Sequence, residues 1–307
     1  VLTLTGTATL AQYETALRSV TYRSTSDDPT VANTRNSRTV TWVVTDANSD
    51  SVGAQTSTGV TSTINIAAVN DAAVMVAGAN RAYTEGVSAT AISSGLTLSD
   101  VDDTAIASGA TVSITAGLTS GDVLSIASGS LLGGATASYN SGTGVLTFTG
   151  STTVSNYQSM LRAVSFSSTS EDPTSQSTTR TVTYSVTDAN ASAASNSAQT
   201  TTATSTVTIT AVNDTPVGTA GGSLAYTENG AATAIDTTIT LIDVDDTQIV
   251  GATVTITSAL TGDVLGFTGQ NDITGIYDAS TGVLTLTGTA TLAQYETALR
   301  SVTYRST

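Results

Sequence analysis

The chain has 307 residues, with 24 acidic and 9 basic side chains, a formal charge of −15, and neither histidine nor cysteine. That composition excludes an imidazole base, a thiolate nucleophile, the usual zinc ligands and a disulfide framework. All nine basic residues are arginine, which leaves no clustered basic surface for nucleic acid or an anionic membrane.

Threonine (65) and serine (39) make up about a third of the chain, against 14 aromatic residues and 3 prolines. Threonine is β-branched and tolerates both water and a packed face, so the composition suits strands with one wet side. No apolar run approaches the roughly 18 to 20 residues of a membrane span, so no span is expected. The sequence opens on Val1 without an initiator methionine or signal peptide, and is expected to be a piece of something longer.

Internal repetition sets the frame. Residues 1–25 recur letter for letter as residues 283–307, an offset of 282. Within that span AVND at 68 returns at 211, AYTE at 82 returns at 225, and DVDDT at 100 returns at 243, each 143 residues on. RTVTW…TDAN from Arg38 returns as RTVTY…TDAN from Arg180, and SDDPT from Ser26 as SEDPT from Ser170. The expected unit is therefore about 140 residues. Residues 1–71 read as the back of one unit, 72–214 as a whole unit and 215–307 as the front of a third. A window on a long tandem array explains this phase. The alternative is a filament or surface-layer subunit whose unfinished ends are completed by strand exchange with neighbouring copies.

In chain order, TLAQYETALRSV (residues 9–20) places Leu10, Tyr13, Leu17 and Val20 at helical spacing, and Thr9 with Gln12 has the form of a capping box. Val40, Trp42 and Val44 alternate as in a half-buried strand, and Thr63–Ala68 behaves likewise. Thr111–Thr115 and Val145–Thr149 are strands of the same kind. The helical pattern then returns at Val154, Tyr157, Leu161 and Val164, with Met160 and the tyrosines read as core. Thr181–Thr187 and Thr206–Ala211 alternate again, and Asn, Gly and Ser clusters separate the runs. About seven alternating strands per unit predict an all-β fold of tandem immunoglobulin-like β-sandwiches, each with one short helical insertion laid across its open end or side.

The acids are not evenly spread. They gather at predicted strand ends and unit junctions: Asp46 and Asp188 in VTDAN, Asp71 and Asp214 in VND, and Glu85 and Glu228 in YTE. Asp100, Asp102 and Asp103 share one DVDD, and Asp243, Asp245 and Asp246 the other. Like charges this close repel unless a cation neutralises them, and Ca²⁺ takes six to eight oxygens from carboxylates, amide side chains and carbonyls. Alternate residues of an extended segment point the same way, so Asp100 and Asp102 are expected on one ion and Asp103 toward another. Asp, Asn, Gly and Thr are also ordinary turn and cap residues, but four acidic motifs recurring in register favour calcium. A catalytic carboxylate pair is the other chemical reading; no companion base or aromatic sugar platform supports it, and no enzyme is expected. Asp122 and Asp263, in GDVL, read as turn residues. Asn190-Ala191-Ser192 and Asn213-Asp214-Thr215 fit a glycosylation sequon.

Read in order, DVDD…ATVSIT…GDVL…TGVLTLTG…TVTYSVTDANASAAS…TVTITAVNDTP resembles the cadherin repeat, and within it the Thr-rich, Lys-poor cadherin-like repeats of giant bacterial surface adhesins. The resemblance covers most of each unit. It implies that Glu85 and Glu228 match the family's early glutamate, Asp100 with Asp102 and Asp243 with Asp245 its DxD pair, and Asp46 and Asp188 its A-x-D aspartate. Asn70 with Asp71 and Asn213 with Asp214 match its linker, so that Glu85, Asn213, Asp214, Asp243, Asp245 and Asp246 would meet around Ca²⁺ at one junction. The AVND linker is shorter in ligands than the family's, and its L-D-R-E acids are replaced by the helical insertion, where Glu171 and Asp172, or Asp27 and Asp28, are the substitutes.

The resemblance implies a stalk segment of a large extracellular, cell-surface adhesin, rigidified by Ca²⁺ between repeats. Its partners would be adjacent repeats or neighbouring copies, with any glycan or surface ligand bound elsewhere in the parent protein. A binding module whose loops recognise a glycan, ice or another surface is the rival class. Repeats identical over 25 residues argue for a spacer, because adhesive tips are unique.

Overall fold

A computed structural model describes residues 1–190 and 196–306. Helix α1 (Leu10–Arg18) precedes an antiparallel hairpin of β1 (Ser37–Trp42) and β2 (Val60–Asn65). A central sandwich follows, built from β3 (Val74–Val76), β4 (Arg81–Thr84), β5 (Thr90–Ala91), β6 (Thr97–Ser99), β7 (Ala105–Ile106), β8 (Ala110–Ala116) and β9 (Asp122–Ser125). It continues through β10 (Thr136–Asn140), β11 (Val145–Thr149), β12 (Thr152–Thr153), helix α2 (Val154–Arg162), β13 (Ser165–Ser168), β14 (Thr179–Thr187) and β15 (Thr200–Thr210). The last stretch holds β16 (Val217–Thr219), β17 (Thr233–Ala234), β18 (Thr240–Ile242), β19 (Gln248–Thr255), β20 (Asp263–Gly266), β21 (Thr274–Asp278), β22 (Val283–Thr291), helix α3 (Leu292–Arg300) and β23 (Thr303–Ser306). The fold is all-β, with three nine-residue α-helices among the described residues.

The central sandwich has a six-stranded sheet in the order β10-β11-β8-β14-β15-β4, faced by β5-β13-β9 and the short pairs β3-β6 and β7-β12. Pairing is antiparallel except where β4 runs parallel to β15, from Arg81 opposite Val207 to Thr84 opposite Thr210. The alternation in β14 buries Val182, Tyr184 and Val186 and turns Thr181, Thr183 and Ser185 outward. These meet Val112, Leu146, Phe148 and Val207 from the same sheet and Leu124 and Phe166 from the other, in one core. Burying a side chain of this size contributes roughly 1.5–3 kcal/mol.

Helix α2 begins at Thr153, whose side chain accepts from the Asn156 N–H. Tyr157, Met160 and Leu161 are fully buried, and the helix packs along β6, β7 and β12 at the side of the sandwich. A second core joins Leu265, Leu284, Leu286 and Tyr295 in the last stretch.

Some predicted strand limits shift. β2 ends at Asn65, so Ile66–Ala68 lie beyond it, β15 starts earlier at Thr200, and Val44 falls outside β1. The register explains the first: Asn65 pairs with Ser37, the first residue of β1.

Candidate metal centre

The AYTE motif is aimed by its tyrosine. Tyr83 is 2 % exposed and stacks edge-on against Phe166 with ring centroids 5.0 Å apart. Two residues on, the alternation carries Glu85 to the same inner side, where Oε2 accepts from the Val212 N–H at 2.8 Å. That bond ties the start of the sandwich to the linker leaving it. Oxygens of Glu85, Glu171 and Asp214 all lie within 4.8 Å of one another.

The other end of the sandwich holds a second cluster, in which oxygens of Asp100, Asp103 and Asp188 also fall within 4.8 Å. Asp188 is fully buried and Asp103 4 % exposed. Asn70, from the preceding linker, donates Nδ2 to Asp188 Oδ2 at 3.0 Å, and Asp71 donates its backbone N–H to Asp102 Oδ2 at 3.2 Å. Asn196 fastens the linker from the side, accepting from the Asn70 N–H and donating to the Asn70 carbonyl, both at 2.7 Å. A third group, Asp243, Asp245 and Asp246, lies beside Asp214, whose N–H donates to Asp245.

The DVDD segments are not extended. Asp100 Oδ1 accepts from the N–H groups of both Asp102 and Asp103, at 3.2 and 2.9 Å, and Asp243 receives the same two bonds from Asp245 and Asp246. The chain curls around the first carboxylate, as Asp side chains do in turns. The turn brings Asp103 to Asp100 and Asp188, which an extended segment would not do, while Asp102 accepts from the Asp71 N–H and stays beside Asp100.

Three predicted residues stand apart. Asp46 is exposed and accepts from the Asn48 and Gln55 N–H groups; Glu228 is exposed; Asn213 is exposed and donates only to the Asp214 carbonyl. Glu171, two residues before a proline in SEDPT, joins a cluster although the strand-end pattern did not include it. Asp122 is more than a turn residue, since it forms a buried ion pair with Arg180. Of the sequons, Ala191 and Ser192 lie outside the described residues.

The electrostatics are unbalanced. None of the three arginine–carboxylate pairs among the described residues, Arg18–Glu14, Arg180–Asp122 and Arg300–Glu296, includes a residue of these clusters. Among the described residues, seven buried side-chain oxygens find no hydrogen-bond donor, and six belong to the predicted ligands: Asn70 Oδ1, Glu85 Oε1, Asp100 Oδ2, Asp102 Oδ1, Asp214 Oδ2 and Asp245 Oδ1. An unpaired buried acceptor costs roughly 1–3 kcal/mol, and more when charged. Burial pushes the Asp100 carboxyl up to about 7 and the Asp245 carboxyl up as well. An all-oxygen donor set without nitrogen or sulfur suits a hard cation such as Ca²⁺.

No protein-family model matches the chain. It is 41 % identical over 86 residues to halomucin of Haloquadratum walsbyi (strain DSM 16790 / HBSQ001), a match covering 26 % of this chain and 1 % of that protein. The chain thus spans about a hundredth of the length of this curated relative. Among solved structures, the protocadherin gamma B2 extracellular cadherin domains 1–5 align over 84 % of this chain and 39 % of that one, at 12 % identity and a TM-score of 0.30. The protocadherin gammaB7 EC3–6 cis-dimer aligns over 84 % and 52 %, at 14 % identity and 0.31. The human desmocollin-1 ectodomain aligns over 81 % and 39 %, at 13 % and 0.26. The strand pairing itself makes the fold all-β, with a central sandwich that carries one short helical insertion.

Proposed function

We propose that this chain is a non-catalytic stalk segment of a large extracellular adhesin, stiffened by Ca²⁺ where successive sandwiches meet. Residues 1–71 would be the back of one repeat, 72–214 a complete repeat and 215–307 the front of the next. The observation that carries this reading is the set of six buried, donor-less oxygens on Asn70, Glu85, Asp100, Asp102, Asp214 and Asp245. All six belong to the linkers or to acids gathered beside them, and with the carboxyls ionised each can only accept. A divalent cation at each junction would satisfy the oxygens gathered there and cancel the repulsion between linker and sandwich.

Asn70, Asp71, Asp100, Asp102, Asp103 and Asp188 would serve the first junction. Glu85, Glu171, Asp214, Asp243, Asp245 and Asp246 would serve the second. Extracellular calcium modules bind at about 10⁻⁴ to 10⁻³ M, so such a rod would stiffen outside a cell and loosen within it. The absence of cysteine suits export without redox chemistry. Calorimetric titration of the whole chain with calcium, alongside melting curves in calcium and in chelator, tests the reading; a chain that takes up no calcium at millimolar concentration sinks it.

Self-assembly by strand exchange is the second reading. It is favoured by one observation: residues 1–25 leave Leu2 68 % and Leu4 39 % exposed, whereas their copies Leu284 and Leu286 pack in the second core. Light scattering with and without calcium separates the two, since a spacer stays monomeric.

A further inference from the structure

We propose that Arg180 is a positioning residue for the calcium site at Glu85, Glu171 and Asp214, acting through the loop that carries Glu171. This inference rests on the stalk reading above. Glu171 is exposed and has no neighbour in a strand to fix it, yet its carboxylate meets Glu85 and Asp214 within 4.8 Å. Something else must hold the loop between β13 and β14.

Arg180 does so from inside the core. It is fully buried on β14 and Asp122 is 2 % exposed. Nε donates to Asp122 Oδ2 at 2.5 Å and Nη2 to Asp122 Oδ1 at 3.3 Å. Two further guanidinium protons go to the loop itself, Nη2 donating to the Pro173 carbonyl at 2.6 Å and Nη1 to the Ser177 carbonyl at 2.7 Å, and Nη1 also reaches the Thr179 carbonyl at 3.5 Å. Because Asp122 answers the positive charge, the effect on Glu171 is one of placement and not of attraction. The planar fork of an arginine supports several such bonds at fixed angles, which a lysine does not.

The start of the loop is pinned at the same place. Thr169 donates its N–H to the Gly121 carbonyl at 3.0 Å. Gly121, at φ +93°, lets the backbones touch; a Cβ there would sit 2.7 Å from the Ser170 nitrogen. Glu171 thus lies between two anchors, Gly121 before it and Arg180 after it. The device recurs in the first stretch, where Arg38 Nη2 donates to the Pro29 carbonyl and Nη1 to the Arg35 carbonyl. There Asp27 stands two residues before the proline, in the place of Glu171.

The test is calcium titration of the full chain by calorimetry, comparing Glu171→Gln, Asp103→Asn and the pair Arg180→Met with Asp122→Asn. The double variant leaves no lone buried charge, and an amide oxygen at position 122 can still accept from the Thr119 N–H, as the Asp122 carboxylate does. We expect the double variant to weaken the same class of binding as Glu171→Gln, by about tenfold, and to leave the class lost in Asp103→Asn unchanged. Hydrogen exchange at residues 170–177 in chelator should quicken, which reads the loop without metal. Gly121→Ala, which crowds Ser170 without touching a charge, should act alike and covers the case of a double variant that fails to fold. Variants that bind like the parent, or that lose both classes equally while still folded, overturn the inference. A parent that binds no calcium overturns the stalk reading and this inference with it, whereas unaltered loop exchange in a chain that does bind calcium overturns this inference alone.

Discussion

The backbone N–H of Asp214 donates to Oδ2 of Asp245 at 3.2 Å, and the same bond joins Asp71 to Asp102 one repeat earlier. Each linker is thereby tied to an acid of the sandwich that follows. Each of those acids keeps its other oxygen, Asp102 Oδ1 or Asp245 Oδ1, buried without a donor. One oxygen is held by the linker N–H, and the other is buried with no donor.

Replacing these acids should matter only in the presence of the ion. Asp102→Ala together with Asp245→Ala should lower the melting temperature in calcium and leave it nearly unchanged in chelator. At calcium a hundred times above its dissociation constant, the stabilisation lost at a single site is about 2.7 kcal/mol. An equal drop in chelator would mean that the two aspartates act through packing alone.

Chelation should also change shape. With calcium removed, repulsion within Asp100, Asp103 and Asp188 and within Asp243, Asp245 and Asp246 acts unopposed at the linkers. Small-angle scattering should then report a broader spread of dimensions, restored by calcium. Identical profiles in calcium and chelator would contradict a stiffening role.

Acid should stabilise the metal-free chain. Asp100 titrates at about 7 when folded, mainly because it is buried, against an ordinary value of 3.8. Between those values the folded chain holds a proton that the unfolded chain has released. Stability is therefore gained as pH falls through about 7 and lost as pH rises through it. Asp236, Asp263 and Asp278 are shifted down by hydrogen bonds and oppose this only below about pH 4. With calcium the trend should reverse, because the ion needs the ionised form. Melting curves in chelator at about pH 8 and pH 5.5 check the sign; a chelated chain that melts lower at pH 5.5 refutes it.

One pair of substitutions compares identical sequence in two settings. Tyr295 is fully buried and donates its hydroxyl to the Gly288 carbonyl, whereas Tyr13 makes the same bond to Gly6 in an exposed segment. Tyr295→Ala should destabilise the last stretch by roughly 3–5 kcal/mol, the usual cost of deleting a buried aromatic ring, and Tyr13→Ala by much less. Hydrogen exchange in β20–β23 reads the first and exchange in α1 the second. Equal effects would mean that α1 is packed in solution as α3 is.

Much of the site was legible because it is built from short motifs. AYTE, DVDD, TDAN and AVND announce themselves by recurring in register, and two of the three oxygen clusters consist of residues those motifs contain. Glu171 is only one of four substitutes, with Asp172, Asp27 and Asp28, for acids that the resemblance leaves unmatched; nothing local ranks it among them, because its meeting with Glu85 and Asp214 depends on how the loop between β13 and β14 folds. The turn at Asp100 was missed for a different reason. Alternation describes a strand, and an aspartate that accepts from two following N–H groups ends one.

Residues 1–25 and 283–307 divide what sequence decides from what tertiary structure decides. Both copies form the same helix with the same Thr–Gln capping box, at Leu10–Arg18 and at Leu292–Arg300, because a helix and its cap bond within a few residues. Only the second copy forms a strand before that helix. Val283–Thr291 pairs with β19 and β21 and buries Leu284 and Leu286, while the identical Val1–Thr9 is unpaired, with Leu2 and Leu4 exposed. A strand takes its hydrogen bonds and its dry face from other segments, here the neighbouring Thr274–Asp278 and the more distant Gln248–Thr255. The same dependence on distant partners holds where Asn70 meets Asp188 and where Glu171 meets Glu85.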